Sequence, residues 1–236
     1  MDGIIIVNKP QGWTSFDVVA KIRNLAKVKR VGHSGTLDPM ATGVLPVFLG
    51  KATKTIQYFL NGDKGYVGEM TLGVKTDTGD AEGKRISEYQ DIRISEKGIK
   101  EIFSKYIGEI EQVPPMYSAV KVGGQRLYKL ARKGIEVKRE PRKITIHELR
   151  ITNHDEKCIS FYVLCSKGTY IRQLAMDIGD DLGCGAYLSK LTRVYSTPFH
   201  ISRALDMDTI VTLAKIDKLS TVIIDPAEML EVKTSG

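Results

Sequence analysis

Residues 31–46 read Val-Gly-His-Ser-Gly-Thr-Leu-Asp-Pro-Met-Ala-Thr-Gly-Val-Leu-Pro. Asp38 is the one acid in this stretch, set among Gly, Pro and small polar residues. Pro39 biases Asp38 away from helical φ/ψ toward extended backbone. Gly32, Gly35 and Gly43 permit tight turns and close backbone approach. A carboxylate on such a loop is costly to bury unless something pairs with it, and a single positioned carboxylate suits a nucleophile or a base. On composition alone the string suits a surface turn better, because Asp-Pro and Gly are turn formers.

A second chemical signal is charge. The 236-residue chain has a formal net charge of +7. Between Lys121 and Lys143 there are nine basic residues (Lys121, Arg126, Lys129, Arg132, Lys133, Lys138, Arg139, Arg142 and Lys143) against Glu136 and Glu140, a local excess equal to the net charge of the whole chain. A focused basic segment points to a polyanionic partner, nucleic acid above all, although a short charge run is also the ordinary mark of a solvated helix face. Tyr128 and the glycines at 123, 124 and 134, interleaved with the cations, favour a contact surface.

Other classes are set aside by what is missing. No apolar run approaches the roughly 18 residues of a membrane span, and the first residues carry no basic leader before an apolar run, so no signal peptide is expected. Cys158, Cys165 and Cys184 are odd in number and lack paired spacing; they read as reduced, packed thiols of a cytoplasmic protein. His33, His147, His154 and His200 are scattered, so no metal site is expected.

The elements that must position these residues follow from periodicity. Residues 3–7 predict a buried strand, and Ser15 predicts a helix cap ahead of Val18, Val19, Ile22, Leu25 and Ala26 at helical spacing. Residues 44–49 predict a short strand, 52–60 a helix, and 64–73 a strand in which Tyr66, Gly68, Met70 and Leu72 face one way. Asp77 and Asp80 are expected to shape the following turn. A helix is predicted over 95–106 and a strand over 108–113. Residues 144–152 and 158–165 alternate like antiparallel strands. A helix from about 171 buries Ile171, Leu174, Ala175 and Ile178. Further on, 186–194 reads as a strand, 208–216 as a helix and 225–230 as a last short helix. Arg172, near a helix start, opposes the dipole preference for acids there, and a cation placed against preference invites a functional reason.

The string Gly-x-Leu-Asp-Pro-x-Ala-Thr-Gly-x-Leu-Pro resembles the catalytic-aspartate motif of the TruB family, the tRNA pseudouridine-55 synthases. Further stretches agree with it in order. Lys9-Pro10 with Gly12 and Thr14-Ser15 is similar to the family's N-terminal Lys-Pro-x-Gly-x-Thr-Ser; this loop reads as a brace for the Asp38 loop, with Lys9 also a candidate RNA contact. Residues 72–80 resemble the family and place Tyr66 on its active-site tyrosine, which stacks on the target base and is implicated in proton transfer. Residues 114–134 are similar to the family's mobile insertion that docks on the T-loop, which marks Lys121, Arg126, Tyr128, Arg132 and Lys133 as RNA-binding. Lys-Gly-Thr-Tyr-Ile-Arg places Arg172 on the arginine that pairs with the catalytic aspartate, and Leu191 with Arg193 matches a Leu-x-Arg in which the leucine packs beside the pocket.

The resemblance implies an α+β chain with the pseudouridine synthase fold: a mixed, mainly antiparallel sheet, flanking helices and a thumb-like RNA-binding insertion at about 114–143. The lack of regular βαβ repeats agrees. Residues 1–205 are expected to form the catalytic domain, and 206–236 a short extension with no complete PUA-type domain. The implied reaction breaks the N1–C1′ bond of the tRNA T-loop uridine, turns the uracil and joins C5 to C1′, after the base has been flipped out. Asp38, Tyr66 and Arg172 are the expected catalytic group, and His33 is expected to help fill the space the base leaves. Attack at C1′, attack at C6 and a glycal route all stay open. No cofactor, no guide RNA and a monomer acting on the T-arm of tRNA are expected. Two rival readings are an RNA-folding factor that binds without catalysis, which leaves Asp38 and Arg172 idle, and a guide-RNA-dependent synthase.

Overall fold

A computed structural model describes residues 1–90 and 94–234, with side chains through Val232. In chain order the first elements are β1 (Gly3–Lys9), α1 (Ser15–Ala26), β2 (Val31–His33), β3 (Thr42–Leu49), a 3-10 turn (Gly50–Thr55), α2 (Ile56–Phe59) and β4 (Lys64–Leu72). Next come β5 (Val74–Thr76), β6 (Arg85–Glu88), α3 (Glu96–Lys105), β7 (Gly108–Gln112), β8 (Lys121–Val122), β9 (Gln125–Arg126) and α4 (Leu127–Ala131). The chain continues through β10 (Arg142–His154), β11 (Cys158–Cys165), α5 (Ile171–Asp181), β12 (Ala186–Ser196) and β13 (Phe199–His200). It closes with α6 (Met207–Lys215) and α7 (Pro226–Thr234). Two compact units result: Met1–Tyr66 together with the chain from Leu191 onward, and Val67–Lys190.

The first unit is built on β3. Strand β1 runs antiparallel along one edge, from Gly3 opposite Leu49 to Lys9 opposite Gly43. The other edge is shared by β2, with His33 opposite Val47, and by β12, which pairs in parallel at Thr192–Thr42 and Arg193–Gly43. Gly43 has φ +101°, and a Cβ there would collide with the Arg193 backbone, so this close parallel approach requires glycine. Ile4, Ile5, Ile6 and Val7 are all buried, as expected for a strand covered on both faces. Phe48, Phe59 and Phe199 meet with centroids 5.2–6.3 Å apart in a core with Ile4, Ile6, Val44 and Met229. The chain after β13 covers the free edge of β1, because Asn8 N–H donates to Leu205 O (2.8 Å) and Ile4 exchanges hydrogen bonds with Ile224.

Two local expectations need correction. Thr14, not Ser15, caps α1: its hydroxyl accepts from Asp17 N–H (3.1 Å) while the Asp17 carboxylate accepts from Thr14 N–H (2.8 Å), a full capping box. Hydrogen bonds from the Thr14 hydroxyl and amide hold the Asp17 carboxyl below the usual carboxylate range. The stretch 52–60 is not one α-helix: residues 50–55 wind as a 3-10 turn before α2. The hydroxyls of Thr53 and Thr55 donate to the carbonyls three residues back (2.7 and 2.8 Å), a local competition that favours the tighter winding.

In the second unit the strand order is β7-β10-β11-β4, followed by the first residues of β12. The pairs β7–β10 and β10–β11 are antiparallel, with register shifts in β10 near His147 and Thr152. Helix α3, capped by Ser95, buries Ile99 and Phe103, and Phe103 meets Phe161 edge-on at 6.3 Å. Tyr66, Gly68, Met70 and Leu72 are buried while Val67 is exposed, so the parity read for β4 holds. The fold class is α+β with a mixed, mainly antiparallel sheet. No helix among the described residues is long and apolar enough to cross a membrane. Replacing Thr14 by Ala removes the capping box and is expected to lower stability by about 1 kcal/mol; an unchanged urea midpoint would show that the box does not hold α1.

Candidate active site

Asp38 lies half-buried on the loop that leaves β2 at His33 and enters β3 at Thr42. A loop crossing the interior must satisfy its backbone groups with something other than a strand partner, and here side chains do so. The hydroxyl of Ser15, freed from capping, is buried; it accepts from Leu37 N–H (2.9 Å) and donates to Leu37 O (3.2 Å). The Lys9 ammonium donates to Pro39 O (3.2 Å), Pro10 O (2.9 Å) and Trp13 O (2.6 Å), and Gly12 N–H adds a bond to Pro39 O (2.8 Å). The residues on either side of Asp38 are thus pinned. Lys9 is 0% exposed. That supports the bracing role and corrects the RNA-contact reading, because a buried ammonium directed at carbonyls offers RNA no surface.

Arg193 is the site's most buried guanidinium, at 1% exposure. Its Nε donates to Val44 O (2.8 Å) and its Nη2 to Gly35 O (3.0 Å). Burial pulls its pKa down, against the effect of the neighbouring Tyr66 phenol. Tyr66 is buried on β4, and Leu191 is buried on β12 with its carbonyl near the Thr42 hydroxyl (3.5 Å). His33 is half-buried at the end of β2; burial first, and the Arg193 charge second, hold its pKa below the usual histidine value. Asp38, His33, Tyr66 and Leu191 all belong to the first unit.

In the second unit Arg172 is buried. Its Nη1 donates to Thr78 O (2.7 Å), its Nη2 to Tyr117 O (2.9 Å), and its Nε lies 3.4 Å from the Asp80 carboxylate. Asp80, expected as a turn former, also accepts from the Thr78 hydroxyl (2.6 Å) and Glu82 N–H (3.1 Å). Gln112, buried at the end of β7, clamps Tyr170 just before α5 by accepting from its N–H (2.8 Å) and donating to its carbonyl (3.1 Å). The segment carrying Arg172 is therefore fixed from β7, from the 78–80 turn and from the root of the basic insertion.

The insertion carries the hairpin β8–β9, which turns at Gly123 (φ +56°) and Gly124 (φ +81°), the two left-handed positions of a type I′ turn. The hairpin is exposed, and Leu127, the first residue of α4, is the buried anchor beside it at 0% exposure. Arg132 lies over the Tyr128 ring at 5.6 Å. Lys138, Arg139 and Lys143 are paired with Glu140, Glu136 and Glu109. Lys121, Arg126, Arg132 and Lys133 are exposed and have no carboxylate partner among the described residues. The available positive charge is thus concentrated at 121–133, the narrower part of the basic segment.

Sequence reasoning missed Arg193, Asp80 and Gln112 as positioning groups, and within the bracing loop it gave Ser15 the capping role instead of the contact to Leu37. A signal for Arg193 existed: it lies two residues from Leu191 in a strand and so shares its face. The depressed His33 pKa also has a measurable consequence. The unfolded chain binds a proton at this residue more readily than the native protein, so stability is full above the ordinary histidine pKa of about 6.5 and falls as pH drops below it. Between pH 7 and 5.5 the wild type is expected to lose more stability in urea than His33→Gln; parallel losses would show that His33 is not held neutral.

Comparison with known proteins bears on these same residues. The model of the TruB family pseudouridylate synthase N-terminal domain matches residues 23–171, and that of the tRNA pseudouridylate synthase B C-terminal domain matches 172–230. Proteins named tRNA pseudouridine synthase B from Clostridium acetobutylicum (51% identical; 88% of this chain, 72% of that protein) and Francisella philomiragia subsp. philomiragia (46%; 94% and 74%) are similar along the chain. A solved chain in a Cbf5-Nop10-Gar1 complex is 31% identical, with TM-score 0.77 over 98% of this chain and 62% of that one. A chain in an H/ACA RNP bound to a substrate RNA containing 2′-deoxyuridine is 28% identical, with TM-score 0.74 over 98% and 61%. This chain thus spans under two thirds of those two solved chains. On the extent of the matches and the identity to curated relatives, the chain belongs to the TruB family of pseudouridylate synthases.

Proposed function

We propose that this chain acts alone on tRNA and isomerises the T-loop uridine at position 55 to pseudouridine. The observation that carries the reading is Asp38 on a loop whose flanking residues are pinned by Ser15, Lys9 and Arg193. Such fixing preorganises a carboxylate for attack on a bound substrate. The T-loop uridine lies within a folded RNA, so it must be flipped into the pocket before reaction. The reaction moves no electrons to or from an external acceptor, and its chemistry asks for no cofactor.

The remaining roles follow. Asp38 is the nucleophile or base, and a carboxylate there serves attack at C1′, attack at C6 and a glycal route alike. Tyr66 stacks on the extruded base and takes up a proton. Arg172 is the third member of the catalytic group, a cation of the kind that favours an ionised carboxylate. His33 fills the space left by the base, and Leu191 lines the pocket. Lys121, Arg126, Tyr128, Arg132 and Lys133 hold the T-arm backbone, since cations without carboxylate partners release counterions when they meet phosphate. The 46–51% identity to proteins named tRNA pseudouridine synthase B, against 28–31% to the chains of Cbf5 and H/ACA complexes, supports the stand-alone reading over a guided one.

The test is conversion of an unmodified T-arm hairpin by purified protein without guide RNA or added protein. Pseudouridine is expected at the position-55 equivalent, and none is expected when that uridine is replaced by cytidine. Tight binding without conversion would favour the RNA-folding factor, and conversion that required guide RNA would favour the guided branch. Substituting Arg126, Arg132 and Lys133 together by Ala is expected to weaken binding and to reduce the salt slope by roughly 0.7–0.9 for each phosphate that is no longer neutralised. An unaltered slope would put the RNA elsewhere.

A further inference from the structure

Two segments hold the Arg172 guanidinium: the 78–80 turn, through Thr78 O and the Asp80 carboxylate, and the root of the basic insertion, through Tyr117 O at 2.9 Å. Five residues before Tyr117, buried Gln112 accepts from Tyr170 N–H (2.8 Å) and donates to Tyr170 O (3.1 Å). Tyr170 caps α5 without a side-chain bond, and its carbonyl also accepts from Leu174 N–H (3.0 Å) in the first turn of that helix. Gln112 therefore holds both backbone groups of the residue from which α5 starts, two positions before Arg172. Segment 112–117 is thus hydrogen-bonded at both ends to residues 170–172. Pro114 and Pro115 between those ends are buried, and their rings fix φ, which stiffens the link. Beyond Tyr117 the chain is tied to the insertion itself, because Ser118 O accepts from Tyr128 N–H (3.0 Å) and Val120 O from Leu127 N–H (2.8 Å). The chain returning from the insertion is latched to the same segment, Arg139 Nη1 donating to Pro114 O (3.2 Å). Two buried polar atoms at this root, Ser118 Oγ and Arg139 Nε, have no hydrogen-bond partner among the described residues. Leaving such groups unpaired is costly, so the root gains by a rearrangement that pairs them, whereas Gln112, bonded at both ends of its amide, gains nothing by moving.

We propose that RNA docking on the basic insertion sets the position of Arg172 through segment 112–117, with Gln112 as the positioning residue at its fixed end. This rests on the reading of Arg172 as a member of the catalytic group. All the residues involved lie in Val67–Lys190. Phosphate drawn to Lys121, Arg126, Arg132 and Lys133 shifts the root, and the root carries Tyr117 O, an acceptor of the Arg172 guanidinium. Gln112 keeps the start of α5 in place, so the shift turns the guanidinium instead of displacing the helix. Part of the free energy of RNA docking is thereby spent on orienting a reacting group, and contacts remote from the target base raise the rate as well as the affinity.

The test is single-turnover conversion of the T-arm hairpin at saturating RNA, with Kd and melting temperature measured alongside. It compares wild type, Gln112→Met, the joint substitution of Arg126, Arg132 and Lys133 by Ala, and the two combined. Each change alone is expected to slow the saturated reaction by about tenfold or more, Gln112→Met with little change in Kd. The combination is expected to be within about twofold of the slower of the two, because both break the same link; loss of packing alone would lower the melting temperature without this shared effect on rate. A wild-type rate for Gln112→Met, a wild-type rate for the triple variant once saturated, or slowing that multiplies in the combination would overturn the link. If Gln112→Met does not fold, the saturated rate of the triple variant decides, since its three cations are exposed. No conversion by the wild type, or a wild-type rate for Arg172→Lys, would instead overturn the reading of the function or of Arg172 on which the link rests.

Discussion

The constraint on which the site depends is the satisfaction of backbone polar groups around Asp38. The loop between His33 and Thr42 is not itself a strand, so its N–H and C=O groups must find partners on side chains and on other backbone segments. Ser15 answers both backbone groups of Leu37, Lys9 and Gly12 answer Pro39, and Arg193 answers Gly35. These donors come from α1, the end of β1, the turn before α1, and β12. That is why the N-terminal Lys-Pro-x-Gly-x-Thr-Ser segment and the late Leu-x-Arg pair belong with a loop near residue 38: the three are distant in sequence and form one hydrogen-bonded body.

The same arrangement sets the electrostatics. Lys9, Lys64 and Arg193 are buried cations, and each donates to backbone carbonyls. Charge in a low-dielectric interior acts more strongly than at the surface, so this part of the unit favours anions, whether a carboxylate on the loop or negative charge developing in a reaction. The depressed His33 pKa is a consequence, since Arg193 adds to the effect of burial. In the second unit Arg172 plays a comparable mechanical part, tying α5 to the 78–80 turn and to Tyr117 at the root of the basic insertion.

Elements with strong periodicity were legible in the sequence. Helix α5 buries Ile171, Leu174, Ala175 and Ile178 at the positions their spacing predicts, and β4 keeps Tyr66 in register with Met70 and Leu72. The family was legible from a few short strings, and the basic insertion from charge alone. What was not legible turned on choices between similar residues. Thr14 and Ser15 both suit a cap, and Asp17 three residues after Thr14 was the mark that should have decided between them. Lys9 and Arg193 are cations, whose default is the surface, and nothing local announces that carbonyls from distant segments will gather around them. Asp80 and Gln112 sit in strings that read as ordinary turn and strand end; their partners, Arg172 and Tyr170, are about ninety and sixty residues away in the chain, a separation that periodicity does not reach.

In the proposed function this hydrogen-bonded body holds one carboxylate, Asp38, in reacting position. Asp38→Asn tests it most directly, because the amide keeps the size of the side chain and removes its charge. Single-turnover pseudouridine formation on the T-arm hairpin would be measured beside wild type, together with RNA affinity and melting temperature. Closely similar affinity and melting temperature with no detectable product are expected. Product at near the wild-type rate from Asp38→Asn would contradict that role and leave the pinned loop without a catalytic purpose.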